Sequence, residues 1–277
     1  MLCSLNLGSL GTRERTPSAD TVRRDRGASV PRCNANATHT VRNPRTFLER
    51  VDTAERTLVP RLQVFVAELT RYRAAKGDRA LRVLDVGCGP QALLAQHLGT
   101  GDAYWGCDFR PEADVPLEHY ISIDLNEESL ADRLPGARFD VIFCGEVIEH
   151  LFSPDALLQD LHTLLAPGGI VILSTPNLGY YVNRGLLLLG ISPLFLENSA
   201  EVKLGRLTRR LGQGNVTEGH IRVFTYRALR DLVARKGFRV VRAVPTTVWG
   251  FPLDRVLGRI PSLAADNVLV LARAEPV

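Results

Sequence analysis

The chain has 277 residues, of which 45% are hydrophobic and 23% charged, a composition typical of a soluble protein with a sizeable core. Its formal net charge is +4, but residues 1–45 hold eight arginines against three acidic residues, and the rest holds 26 basic and 27 acidic residues. Because residues 46–277 carry no basic excess, we expect no nucleic acid partner. The five cysteines lack Cys-x-x-Cys and zinc-type histidine spacing, so we expect a cytoplasmic protein and no metal site.

The first eighty residues divide by composition. Residues 1–45 lack any sustained apolar period and are predicted to be a disordered basic tail; a transit peptide and an over-extended start are alternatives that stay open. Residues 46–80 are predicted to be a leading helical segment, because apolar residues follow helical spacing up to Gly77. No stretch reaches the roughly 18 apolar residues of a membrane helix, so we expect no stable membrane insertion.

Residues 81–277 are predicted to form one domain, which begins with an apolar strand and a glycine turn. The strand ends at Gly87 and Gly89, and a helix-like pattern of leucines follows from Leu93. Glycines can take positive φ and let a ligand lie on the backbone, and a helix N-terminus offers unpaired N–H groups. Asp85, an acid within this apolar strand, suggests that the ligand also carries a positive group.

Acidic residues close the next two predicted strands. Residues 103–108 end in Asp108, about 20 residues past the glycines, where the carboxylate of a βαβ unit accepts ribose hydroxyls. Residues 120–123 are followed by Asp124. A helix is predicted over residues 126–134.

The later pattern repeats the alternation of strand and helix. A strand is predicted over residues 139–144, and the sequence Glu-x-x-Glu-His follows it at residues 146–150. A helix is predicted to begin after its cap at Ser153 and to end at residues 167–169. Another strand is predicted over residues 170–174. Thr225 caps another helix, and strands at 238–248 and 267–272 are predicted to close the sheet as an antiparallel hairpin.

This order predicts an α/β fold, a Rossmann-like, doubly wound, mostly parallel seven-stranded sheet with ligands at the carboxyl ends of the strands. Residues 178–219 break the rhythm and are too long for a plain connection. We predict that they form a lid-like insert on the substrate side.

With these motifs in order, residues 81–272 resemble the class I S-adenosylmethionine-dependent methyltransferases. Residues 146–151 and 174–177 are similar to the branch that contains the ubiquinone-biosynthesis O-methyltransferases, and residues 183–193 and 219–225 to bacterial enzymes that modify glycans or small metabolites. The resemblance implies S-adenosylmethionine as cofactor and a small-molecule or glycan-type acceptor, methylated on oxygen more readily than on nitrogen or carbon.

The resemblance also implies roles for individual residues. Those expected to contact the cofactor are Asp85 near the ammonium, Gly87, Cys88 and Gly89 along the methionine, Asp108 on the ribose, Phe109, Asp124 and Leu125 on the adenine, and Cys144 and Gly145 beside the sulfonium. His150 and His220 are the candidate bases. Gln91 replaces the third glycine common in the family and is expected at the helix start.

Two other functions fit parts of the pattern. A nicotinamide-dependent oxidoreductase shares the glycine turn and the acid at Asp108, but not the Glu-x-x-Glu-His loop or the closing hairpin. A catalytically silent subunit that binds S-adenosylmethionine would keep the same cofactor residues.

Overall fold

Seven strands form one sheet in a computed structural model that describes residues 61–77, 79–206, 217–246 and 251–275. Their order is β3-β2-β1-β4-β5-β7-β6, parallel from β3 to β5 and antiparallel at β7 and β6. The strands are β1 (Arg82–Val86), β2 (Ala103–Asp108), β3 (His119–Ser122), β4 (Phe139–Gly145), β5 (Leu165–Pro176), β6 (Phe238–Thr246) and β7 (Asp266–Arg273). The predicted fold class and closing hairpin are confirmed.

Helices cover both faces of the sheet. α1 (residues 61–76) packs Phe65, Leu69 and Tyr72 on one face. The other face carries α2 (Leu130–Arg133), α3 (Pro154–Leu164) and α5 (Tyr226–Arg235). β1 lies between β2 and β4 and contributes to the apolar clusters on both faces of the sheet, which explains its mostly apolar sequence.

Three sequence-based predictions about helices are wrong. The segment after the glycine turn is a short 3₁₀ helix (Leu93–His97) instead of an α-helix, and Gln91 lies in the preceding turn. The helix expected over residues 126–134 is shorter than predicted, because only the four residues of α2 are helical. Pro167 to Gly169 do not end α3, which stops at Leu164; they form an irregularity inside β5, where Gly168 has a φ of +71°.

The insert contains α4 (Tyr181–Leu188), which packs with residues of the 251–265 segment in a small apolar cluster. The Tyr180 hydroxyl donates to Asp254 at 2.9 Å, and Arg184 donates to the carbonyl of Ser262 at 3.0 Å. In the part of the chain that is described, no helix has both the length and the apolar character needed to cross a membrane. The tail predicted for residues 1–45 lies outside the described residues, and the domain boundaries stay predictions.

Two predicted helix caps provide a test of the fold. Ser153 and Thr225 each accept a hydrogen bond at 3.2 Å from the N–H three residues on. We expect Ser153→Ala and Thr225→Ala each to lower the free energy of unfolding by about 0.5–2 kcal/mol, measured by urea unfolding. Ser153→Asp keeps an acceptor and should lose less; equal stability of S153A and the unmodified chain would contradict the assignment.

Candidate active site

Two cavities lie at the carboxyl ends of the parallel strands and share Gly87, Gly145 and Glu146. The larger has a volume of about 480 Å³ and the smaller about 350 Å³. Ends of β1, β2, β3 and β4 surround the larger cavity, whereas the glycine turn and α1 line the smaller one. The two cavities are therefore adjacent, and each has the volume of a small-molecule site.

The glycine turn meets the backbone requirement predicted for it. Gly87 and Gly89 have φ values of +74° and +65°. A Cβ placed on Gly87 would lie 2.3 Å from Cγ2 of Val147, whereas one placed on Gly89 would meet nothing within 4 Å. Gly87 is therefore fixed by both conformation and space, and Gly89 by conformation alone.

The acids at the ends of β2 and β3 line the larger cavity, as do Phe109 and Leu125. Asp108 accepts the N–H of Gly89 at 3.0 Å on Oδ2 and the N–H of Arg110 at 3.2 Å on Oδ1. Asp124 accepts the N–H of Asn126 at 2.9 Å. Each carboxylate is thus oriented by backbone donors and keeps further lone pairs for a ligand.

Asp85 lines the smaller cavity and is 5% exposed. Burial raises the pKa of its carboxyl to about 7, although the Tyr104 hydroxyl, which donates to Oδ2 at 2.7 Å, opposes the shift. A cationic ligand group beside Asp85 would restore its charge. This agrees with the inference of a ligand that bears a positive group.

The two cysteines predicted to contact the cofactor lie in different places, and Cys144 lines neither cavity. Cys88 lines the smaller cavity, and burial raises the pKa of its thiol to about 12. The Cys144 side chain is fully buried in the core, and its neighbour Gly145 lines both cavities. These thiols are protonated and supply no nucleophile.

Glu146 lies where the cavities join and belongs to a charge network that the sequence did not reveal. It has a φ of +57°, and its carboxylate accepts the Ser174 hydroxyl at 2.9 Å and pairs with Arg61 at 3.1 Å. Arg61 also pairs with the buried Asp266 at 3.1 Å. Although burial opposes the charge of Arg61, the two carboxylates raise its pKa.

Glu149, His150 and His220 lie together at the edge of the larger cavity. The imidazole rings of the two histidines are 5.0 Å apart, but only His150 lines the cavity, and His220 is buried. Burial lowers the pKa of His150 and raises that of Glu149, whose Oε2 accepts the Thr175 hydroxyl at 2.9 Å. The structure brings the two candidate bases together, though from different segments.

The sequence model of the family described as "Methyltransferase domain" matches residues 59–243, about two thirds of the chain. The chain belongs to this family. Among solved structures, an S-adenosylmethionine-dependent methyltransferase from Clostridium acetobutylicum aligns with a TM-score of 0.55 at 12% identity over 83% of this chain and 99% of that one, which shows a shared fold. The class I identification made from the sequence is confirmed.

Curated relatives are similar over a shorter stretch. The ubiquinone biosynthesis O-methyltransferase of Burkholderia ambifaria is 38% identical over 104 residues, 35% of this chain and 44% of that protein. The enzyme of the same name from Chelativorans sp. is 34% identical over 133 residues, 45% of this chain and 49% of that protein. The chain therefore aligns with less than half the length of these relatives.

The contrast between the two glycines can be tested directly. We expect Gly87→Ala to lower the thermal midpoint more than Gly89→Ala, because both strain a positive φ but only the former also places Cβ against Val147. Adding Val147→Ala to Gly87→Ala should recover part of the loss. Equal midpoints for G87A and G89A, measured by calorimetry, would show that the contact is unimportant.

Proposed function

We propose that this protein transfers the methyl group of S-adenosylmethionine to an oxygen of a small-molecule, glycan-type or lipid-linked acceptor. The observation that carries the proposal is the pair of cavities joined at Gly87, Gly145 and Glu146, one with a buried carboxylate and the other bordered by carboxylates at two strand ends. The family match supports the reaction class, and the names of the curated relatives support oxygen as the acceptor atom.

In this proposal the methionine end of the donor occupies the smaller cavity. Its ammonium pairs with Asp85, and its main chain lies along Gly87, Cys88 and Gly89, whose close approach the missing Cβ atoms permit. Gln91 lines the same cavity and is exposed, so its amide is available to the methionine carboxylate. Gln91 would then contribute a polar contact at the position where the family commonly has a glycine.

The adenosine end then occupies the larger cavity. Asp108 accepts the ribose hydroxyls, Asp124 accepts from the adenine amine, and Leu125 and Phe109 pack against the ring. The Phe109 side chain is 75% exposed, so covering it with the adenine would contribute apolar area to binding. The sulfonium lies between the cavities, beside Gly145 and Glu146.

The reaction requires little chemistry from the protein because the sulfonium is an activated methyl donor. The chain has to align the acceptor oxygen with the methyl carbon and sulfur, and to exclude water. The acceptor approaches from the side of the larger cavity that His150, Leu151 and Glu218 line. Because Glu218 lies at the end of the insert, this segment takes part in acceptor choice.

Cofactor identity and the role of Asp108 can be tested by calorimetric titration. We expect S-adenosylhomocysteine to bind and NAD not to bind, and Asp108→Ala to weaken binding by about 1–3 kcal/mol through loss of a charged acceptor. Asp108→Asn keeps an acceptor for the Gly89 N–H, so a loss of affinity in this variant would reflect the ribose contact and not disruption of the glycine turn. Asp132 is an exposed acidic residue on α2, and Asp132→Ala serves as the control.

Three results would count against the proposal. NAD binding without any response to S-adenosylhomocysteine would favour an oxidoreductase. Unchanged affinity in D108A would remove the ribose assignment. Binding without methyl transfer to any acceptor in fractionated metabolite extracts would favour a silent subunit.

Asp85 gives cofactor binding a pH dependence. Because its pKa is about 7 in the free protein and the donor's ammonium pairs with the ionised form, affinity for S-adenosylhomocysteine should rise by about tenfold from pH 6 to pH 8. Tyr104→Phe removes a donor that favours ionisation and should move this rise to higher pH. Asp85→Asn should bind weakly with no such rise; a flat profile for the unmodified protein would exclude Asp85 as the ammonium partner.

A further inference from the structure

One potential ligand atom from each of Glu149, His150 and His220 lies within 4.8 Å of the others. We infer that these three side chains bind a divalent first-row transition-metal cation at the edge of the larger cavity. Two imidazoles and one carboxylate form a donor set suited to such ions, and three protein ligands leave positions open for an acceptor oxygen and water.

Both imidazoles are oriented as metal ligands usually are. Nδ1 of His150 lies 3.0 Å from the carbonyl oxygen of Gly219, and Nδ1 of His220 lies 3.1 Å from that of Phe195. A carbonyl can only accept, so each ring carries its hydrogen on Nδ1 and keeps a lone pair on Nε2. A carbonyl that fixes the tautomer in this way is the usual outer partner of a metal-bound histidine.

The carboxylate of Glu149 has an unused oxygen. Glu149 is 1% exposed; its Oε2 accepts the Thr175 hydroxyl, but its Oε1 is buried without a hydrogen-bond partner. A buried carboxylate oxygen left without a partner is costly. A cation between Oε1 and the two Nε2 atoms would satisfy it.

The segment that supplies His220 is held rigidly. The Glu197 carboxylate accepts the backbone N–H groups of Glu218, Gly219 and His220 at 2.7, 2.8 and 3.0 Å. The N–H groups of Ile221 and Arg222 donate to the carbonyl of Glu149 at 2.9 and 3.0 Å. The first set of bonds holds His220 to the insert, and the second ties the residues after it to the Glu-x-x-Glu-His loop.

The ligand atoms, which lie within 4.8 Å of one another, are spaced more widely than those of a bound ion. Three ligands about 2.1 Å from one ion are about 3.4 Å apart in tetrahedral geometry. Side-chain rotations that bring the atoms inward by up to about 1.4 Å would complete the site. The carboxylate of Glu218 lies 3.5 Å from Nε2 of His220 and is paired with the buried ammonium of Lys203 at 2.6 Å.

This cation would serve the proposed function, on which its catalytic role rests. A bound cation stabilises the oxyanion of an acceptor hydroxyl as its proton passes to water. The oxyanion forms the new C–O bond while the C–S bond breaks, and the sulfonium becomes a neutral thioether. His150 and His220 then act as ligands instead of proton acceptors.

The test uses the full chain, treated with EDTA and desalted, and titrated with Mn²⁺ alone. Loss of the free-ion signal in electron paramagnetic resonance should show about one bound ion per chain. Glu149→Gln and His220→Gln should each weaken binding about 100-fold or more, because even the outer partners of metal ligands are worth about 10–100-fold. His97→Gln, at an exposed histidine, is the matched control and should bind normally.

Co²⁺ provides a second readout, because imidazole coordination changes its visible spectrum, and this change should vanish in the two ligand variants. Absence of saturable Mn²⁺ binding, or equal affinity in E149Q, H220Q and H97Q, would overturn the inference. Titration of the same metal-free sample with S-adenosylhomocysteine separates the two proposals. Cofactor binding without Mn²⁺ binding overturns only the cation site, whereas Mn²⁺ binding without cofactor binding overturns only the proposed function.

Discussion

The contact between Val147 and Gly87 is the constraint on which the site depends. β1 and β4 are adjacent in the sheet, with Val86 opposite Cys144, so the loops that follow them must share one small space. Cγ2 of Val147 occupies the position that a Cβ of Gly87 would take. The chain can pass there only as glycine, and the loop after β4 can pack there only because the glycine leaves room.

Much of the fold could be predicted because the relevant signals are local. β2 has the predicted limits, Ser153 and Thr225 cap their helices, and α1 ends where Gly77 was expected to stop it. The α-helix predicted after the glycine turn does not form. Ala92 at the start of this segment has a φ of +43° and provides no side-chain cap, so the first N–H groups of a helix there would lack the partner that Ser153 and Thr225 supply elsewhere.

Some residues of the candidate site could likewise be predicted from local sequence, and others could not. Asp85, Asp108 and Asp124 could be found because each has a recognisable position within or after a strand. Arg61 and Asp266 could not, since nothing in either segment indicates that they meet Glu146. The proximity of His220 to Glu149 likewise depends on the path of the insert, which the hydrogen bonds of Glu197 help to fix and no local periodicity encodes.

The carboxylate of Glu146 at the junction of the cavities has a further consequence for turnover. Under the proposed function the sulfonium would lie beside this carboxylate, which would attract the charged donor more than the neutral thioether that remains after transfer, since Coulomb attraction acts on the net charge of the donor. The pairing of Glu146 with Arg61 would moderate this preference by cancelling part of the field. The charge of Arg61 would then influence the relative affinities of donor and product, and with them the degree of product inhibition.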